Sequence, residues 1–450
     1  MTKPSSNSSR RSFLQTSATA AAGASVLANL HAVRAAHVSA DETIKIGLIG
    51  CGGRGTGAAE QAMNTEGPTK LVAVADAFGD NLDRSLRSLE RSHKDKIDVP
   101  KDRQFVGFDA FQKVLETDCD IVILATPPGF RPLHFEAAIN AGKHVFMEKP
   151  VAVDSVGVRK VLAANELAKT RNLAVAVGLQ RHHEPIYIET IKRLQDGAIG
   201  RIVATRAYWN NDGVWVRPRQ EGQTEMEYQM RNWYYFNWLC GDHINEQHIH
   251  NLDVINWLMN GYPVKAQGQG GRQVRTGKDH GEIYDHHFVE YTYEKDGETS
   301  VLLSQCRHIP NTWSAVSEYA HGSEGFCNIA DGQIFDAKGK LTWEYPRKDD
   351  SGKRRNLHNG HQDEHHDLFA AIRRGEIPNE GEFGAYSTMT SVLGRMATYS
   401  GKEILWKDAL ASELGISPVE TFHSFSDTPP IVPNPDGTYP IPTPGVTKVL

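Results

Sequence analysis

Short apolar runs punctuate the first half of the chain, each separated from the next by a segment with helical spacing. Ile44–Ile49, Leu71–Ala75, Ile121–Ala125, His144–Met147 and Leu173–Val177 read as strands, with helices over 56–64, 109–116, 132–141 and 154–170. Continuous apolar strands alternating with helices predict a parallel, doubly wound sheet. After about residue 200 the pattern changes. Ile202–Trp209, His287–Tyr293 and Thr299–Cys306 alternate in the two-residue period of half-buried strands. Further strands are expected at 326–329, 333–335 and 341–345, and helices at 246–259, 361–374 and 384–399. The fold class is therefore α/β in the N-terminal part, joined to an α+β unit with a large, mostly antiparallel sheet. From about 413 the chain is rich in proline (Pro429, Pro430, Pro433, Pro435, Pro440, Pro442, Pro444). That composition predicts an extended arm lying on another surface, or a disordered tail.

The 450 residues, 39% of them hydrophobic, suffice for two domains with separate cores. We place these at 41–178 and 179–412. Charged residues make up 23%, the formal charge is −6 and no long run of one sign occurs. A nucleic-acid partner would want a basic face, so it is excluded. No internal apolar run reaches the length of a stable membrane span.

The N-terminus adds an address. Ser9-Arg10-Arg11-Ser12-Phe13-Leu14-Gln15 precedes an alanine-rich run from Ala18 to Leu30. Paired arginines, a modest apolar stretch and small residues beyond it read as a twin-arginine signal over residues 1–40. The expectation is a periplasmic or otherwise exported protein that engages the twin-arginine machinery. Cleavage is expected between Ala32 and Ala40; residues 1–40 hold four basic residues and no acid, so their loss takes the charge from −6 to about −10. Cysteines 51, 119, 240, 306 and 327 show no C-x-x-C and no zinc-like spacing, and no disulfide is expected.

Candidate chemistry begins directly after the first strand. Gly50, Gly52 and Gly55, with Gly53 and Arg54 between them, stand between a strand and a helix, the context that a dinucleotide-binding G-x-G-x-x-G requires. The first glycine permits the tight turn, the second lets backbone approach a pyrophosphate, and the third allows close helix–strand packing. Asp76, at the end of the second strand, can accept from both ribose hydroxyls and would repel a 2′-phosphate, which favours NAD over NADP.

A succession of motifs then narrows the field. Ala125-Thr126-Pro127-Pro128, His134, Ala141-Gly142-Lys143-His144-Val145, Glu148-Lys149-Pro150, Gly178-Leu179-Gln180-Arg181 and Gly322-Ser323-Glu324-Gly325 resemble the Gfo/Idh/MocA family, the relatives of glucose–fructose oxidoreductase and inositol dehydrogenase. The resemblance runs over roughly residues 44–406. It implies a Rossmann domain with Thr126, Pro127, His134, Glu148 and Lys149 at the cofactor. It also implies a C-terminal domain whose sheet forms a homodimer or homotetramer interface, and a sugar or cyclic polyol bound between the domains. Lys149 is implied as the residue that holds the reacting oxygen, with Lys149–Pro150 in the cis form.

The stretch GDHINEQHIHNLD, residues 241–253, is read with the same resemblance. On a helix from about 245, Glu246, His250 and Asp253 share a face, while His248 points elsewhere. The family pattern Asp-x-x-x-His-x-x-Asp implies His250 as acid/base beside Lys149, with Glu246 in the first aspartate's place as a substrate-hydroxyl ligand. Asp253 is a candidate substrate contact, or an orienting or structural group. A metal would need a remote ligand such as His286, His287, His361 or His365, and no metal is expected. The histidines from His358 to His366 read as a solvated helix start. Trp233 and Tyr234 are candidates for stacking on a sugar or for core packing, and Arg181 with His182 are weaker substrate contacts. Three functions fit: a sugar or polyol oxidoreductase, a glycosidase using NAD by transient oxidation and elimination, and a non-catalytic sugar sensor.

Overall fold

A computed structural model describes residues 42–349, 351–353 and 355–450, so the twin-arginine stretch lies outside the described residues. The first domain alternates as its apolar runs require: β1 (Ile44–Ile49), α1 (Gly53–Met63), β2 (Thr69–Asp76), α2 (Gly79–His93), β3 (Gln104–Val106), α3 (Ala110–Leu115), β4 (Ile121–Leu124), α4 (Arg131–Asn140), β5 (His144–Met147), α5 (Ser155–Thr170) and β6 (Val175–Val177). All six strands are parallel, in the order β3-β2-β1-β4-β5-β6. The order reverses between β1 and β4, and open sheets bind ligands beyond the carboxyl ends of strands at such a switch point. Helices α1 and α2 pack on one face through Ala58, Ala62, Leu82 and Leu86. Helices α3 to α5 cover the other through Phe111, Phe135 and Val161.

After α6 (Pro185–Gln195) the chain builds β7 (Ile202–Asn211), α7 (Glu225–Arg231), α8 (Asn237–Cys240), α9 (His243–Glu246), α10 (Ile249–Met259) and β8 (Lys265–Gly271). It continues through β9 (His286–Lys295), β10 (Glu298–His308), β11 (Ala315–Gly322), β12 (Gly325–Asn328), β13 (Gln333–Asp336) and β14 (Leu341–Glu344). Two long helices, α11 (Gly360–Arg373) and α12 (Gly381–Ser400), precede β15 (Ile404–Leu405) and α13 (Trp406–Ala411). The nine-stranded sheet runs β14-β13-β12-β11-β7-β10-β9-β8-β15, antiparallel except that β7 and β10 pair in parallel. Helices α10 and α12 cover its inner face through Ile255, Val392 and Leu393.

Two expectations change here, and one of two alternatives is selected. The helix expected over 246–259 is broken: α9 ends at Glu246, α10 begins at Ile249, and Gln247 between them has φ −114°. Across the break the His248 amide reaches back to the His243 carbonyl, and its ring Nε2 lies 2.7 Å from Ser304 Oγ on β10. The start of α11 is not wholly solvated, since Glu364 and His365 are buried and His365 packs 4.2 Å from Phe146 on β5. The proline-rich tail is an arm laid on its own chain. Phe422 packs on Trp238, Phe425 on Phe78 and Phe108, and Tyr439 on Phe236.

The candidate active site

The glycine loop leaves β1 at the switch point. Gly50 has φ +101°, and a side chain there would strike the backbone of Ala125 and Thr126 at 2.6 Å. A Cβ on Gly55 would stand 1.8 Å from the Gly50 carbonyl oxygen, so α1 can approach the strand only with glycine there. Gly52 and Gly53 face open space instead, and both line a cleft of about 400 Å³, ample for a nucleotide's phosphates and ribose. The same cleft is walled by Asp76, Phe78, Phe108, Thr126, Pro127 and His134 from the first domain, and roofed by Trp215, Arg217 and Trp233 from the second. The residue types fit a dinucleotide: a backbone cradle that added Cβ atoms would fill, a helix N-terminus aimed at an anion, and a carboxylate placed for a ribose.

Asp76 is fixed by its own surroundings. Its oxygens accept from the Cys51 amide (2.7 Å) and the Phe78 amide (2.8 Å), while burial raises its pKa. Thr126 Oγ1 and His134 Nδ1 lie 3.2 Å apart. Burial pushes the His134 imidazole down to about 3, and the nearby Arg131 charge acts in the same sense. Arg54 also lines the cleft, and its guanidinium is held there by carboxylates. Its Nε donates to Glu148 and its Nη2 to Glu364 (3.3 Å), tying the glycine loop to the end of β5 and to α11. Burial would raise the Glu148 pKa, but the Arg54 and Lys149 charges hold it below the ordinary value. Glu364, buried beside Glu148, is pushed well above.

Beyond the cleft, Lys149 stands two residues after β5 and its peptide bond to Pro150 is cis. Its Nζ donates to both the carbonyl (2.6 Å) and the carboxylate Oε1 (3.1 Å) of Glu246. Burial raises the Glu246 pKa, and the Lys149 charge opposes that rise. His250 lies against Trp209 with ring centroids 5.7 Å apart, and its Nδ1 is buried without a hydrogen-bond partner. Burial first, then the nearby Lys149 charge, holds the imidazole well below its usual pKa, so it is neutral. A neutral imidazole with an unsatisfied nitrogen beside a lysine can exchange a proton with a reacting hydroxyl.

Not every expected substrate contact comes to this place. Asp253 faces away: its oxygens lie 2.8 Å from His182 Nε2 and 2.7 Å from Ser387 Oγ, and His182 is stacked between Trp257 and Phe383. Both Asp253 and His182 thus serve the packing of α10 against α12. Arg181 is also buried, its guanidinium donating to Glu318, which takes further bonds from Asn251 and Tyr187. Trp233 lines the nucleotide cleft, whereas Tyr234 is buried with its hydroxyl unpartnered; burial and then the Glu246 charge raise its pKa. Trp209, which no spacing rule singles out, stands against His250. Among the described residues, Asp242, His243 and His287 could bring three metal-ligand atoms within 4.8 Å of one another. The five cysteines are free and buried, and among the described residues no helix is long and apolar enough to cross a membrane.

A Rossmann nucleotide cleft beside a lysine and a neutral histidine defines the class: a two-domain, NAD-binding oxidoreductase fold. Two profiles of one family match consecutive segments, an oxidoreductase NAD-binding Rossmann fold over residues 44–179 and a GFO/IDH/MocA C-terminal domain over 187–326, together more than half of the chain. The chain belongs to the Gfo/Idh/MocA family of oxidoreductases. It is 27% identical to an inositol 2-dehydrogenase of Klebsiella pneumoniae over 256 residues, 56% of this chain and 65% of that protein's length. Among solved structures it resembles scyllo-inositol dehydrogenase from Lactobacillus casei with bound NAD(H) and scyllo-inositol, at TM-score 0.59, 20% identity, and coverage of 81% of this chain and 100% of that one. It also resembles aldose-aldose oxidoreductase from Caulobacter crescentus, at TM-score 0.61, 18% identity, and coverage of 81% and 100%.

Proposed function

We propose that the protein is an NAD-dependent oxidoreductase acting on a secondary hydroxyl of a cyclic polyol or sugar. The observation that carries this reading is Lys149 held by Glu246 at the carboxyl edge of the sheet, with neutral His250 near enough to feel the Lys149 charge, next to a cleft shaped for a dinucleotide. When bound, NAD supplies the hydride acceptor, or as NADH the donor. The chain's own task is to bind the substrate and handle its proton. A substrate oxygen takes one of the two places that Glu246 now occupies at Lys149 Nζ, where the ammonium stabilises developing negative charge. Neutral His250 accepts the hydroxyl proton, and Glu246, freed from the lysine, accepts from a neighbouring hydroxyl. The names of the relatives, inositol dehydrogenases among them, support a cyclic polyol as the first substrate to try.

The test is a panel of inositols, aldoses and their glycosides, followed for both NADH formation and release of an aglycone. NADH formation with an inositol or aldose is expected, and Lys149→Met should lower kcat by roughly 10²–10⁴-fold. Absence of nucleotide binding to the purified protein would defeat the reading. One feature favours transient oxidation and elimination as a second reading: Trp215 and Trp233 roof the nucleotide cleft, and the C-terminal arm backs its wall at Phe78 and Phe108, which suits a resident cofactor. Aglycone release without net NADH would decide for it. We further propose that the protein is exported on its paired arginines; replacing Arg10 and Arg11 with lysine should leave it in the cytoplasm, as fractionation would show.

A further inference from the structure

Asp242 is unusual in its backbone before its chemistry is considered. Its φ of 70° with ψ of 163° lies where glycine alone is comfortable, at a cost on the order of 1–3 kcal/mol for another residue. Such strain persists only where the surroundings over-determine it. Here they do. Asp242 Oδ1 accepts from the His243 amide (2.5 Å) and from His243 Nδ1 (2.8 Å). Oδ2 accepts from the Tyr284 amide (2.9 Å) and the Tyr399 hydroxyl (2.5 Å), with His287 Nε2 at 3.3 Å. The carboxylate is fully buried, and its four close donors use the lone pairs that a metal would need. Asp242 is therefore a hydrogen-bonded hub that ties together His243, Tyr284 and Tyr399, with His287 Nε2 beside it.

The hub holds α9. A helix of four residues cannot sustain itself. Asp242 caps its first turn, and its last residue, Glu246, is the one whose carbonyl and carboxylate both receive Lys149 Nζ. His308 extends the support: its ring lies 4.5 Å from that of His243, and its Nε2 is 2.9 Å from Gln247 Oε1. We propose that Asp242 is a positioning residue, whose buried carboxylate fixes α9 so that Glu246 presents both of its oxygen groups to Lys149. This goes beyond the reaction proposed above and rests on it only where turnover is the readout.

The strained backbone supplies its own control. Asp242→Gly adopts the same φ and ψ without strain and deletes the carboxylate with its methylene, while Tyr399→Phe removes a single donor from Oδ2. In the full-length protein, the rate at which acetic anhydride acetylates Lys149, read by mass spectrometry, reports the grip of Glu246 on the lysine without any substrate. For Asp242→Gly we expect unchanged NAD affinity and acetylation faster by about fivefold or more. On whichever polyol is turned over, kcat should fall by about 10²-fold with KM nearly constant, the scale of a misplaced catalytic group. Tyr399→Phe should move the same quantities in the same direction, by about twofold. A folded Asp242→Gly protein with wild-type lysine reactivity overturns the proposal. If Asp242→Gly does not fold, wild-type reactivity in Tyr399→Phe overturns it instead. If no substrate is found, the lysine reactivity still decides, so the two proposals fail separately.

Discussion

Gly52 and Gly55 stand three positions apart in one turn, yet an added methyl group means opposite things at the two sites. At Gly55 it would collide with the Gly50 carbonyl, and at Gly52 it would project into the open cleft. Gly55→Ala should therefore lower stability by about 1–3 kcal/mol through overpacking. Gly52→Ala should keep the wild-type Tm and weaken NAD binding about tenfold, which calorimetry on both variants would separate. His183 gives a prediction on pH. Its ring nitrogens lie 2.7 Å from Asp367 and 3.1 Å from Glu380, and although burial opposes it, the Glu380 and Asp367 bonds raise the imidazole to about 9. The folded state thus binds this proton more tightly than the unfolded chain. The stabilisation is complete below the ordinary histidine pKa of about 6.5 and is lost as pH rises through about 9. Melting curves should fall across that window and flatten in His183→Asn. The glycine loop and Asp76 were legible in the sequence because their geometry is local and has fixed spacing. Asp253 and Arg181 were not, because the partners that claim them, Ser387 and Glu318, are more than a hundred residues distant.

Among elements, strands with continuous or alternating apolar character were legible, and β1 matches its expected bounds. Strand β8, Lys-Ala-Gln-Gly-Gln-Gly-Gly, has almost no apolar face of its own and exists because β9 pairs along its whole length. The break between α9 and α10 was hidden for a related reason. Helical spacing continues through residues 246–250, but His248 is drawn to Ser304 on the sheet. Composition also could not show what the proline-rich arm touches. Phe425 lies 4.9 Å from Phe78, which walls the nucleotide cleft and carries Arg231 over its ring at 4.1 Å. Ending the chain after residue 412 should then speed NAD dissociation about tenfold or more, and Phe425→Ala should account for much of that change in a stopped-flow displacement experiment.

At the scale of the molecule, the two domains are not beads on a string. Helix α11 follows the entire second sheet, yet Leu368, Phe369 and Ile372 pack into the core of the first domain with Ile44, Leu71 and Phe146. Val175 on β6 forms a bridge with Asn379, and Arg373 donates to the carbonyls of Glu42, Glu66 and Pro68. A fragment of residues 42–178 should therefore expose apolar surface, bind the dye ANS and fail to melt cooperatively, whereas adding residues 355–412 in trans should quench the dye. Sequence periodicity gives the faces of α11 but not which sheet they cover, so this arrangement was not legible.

That returning helix sets an order of assembly. The strand β6 ends at Val177 and α11 begins at Gly360, so a ribosome adds about 180 residues between the last strand of the nucleotide-binding sheet and the helix that seals it. The first domain consequently cannot finish folding while the second is being made. The domain that binds the dinucleotide is completed only when α11 has emerged, and the arm that packs against Phe78 and Phe108 follows it. A dinucleotide then meets a finished fold only once α11 has emerged, so the time at which the cofactor can be held is set by the chain that follows the second sheet.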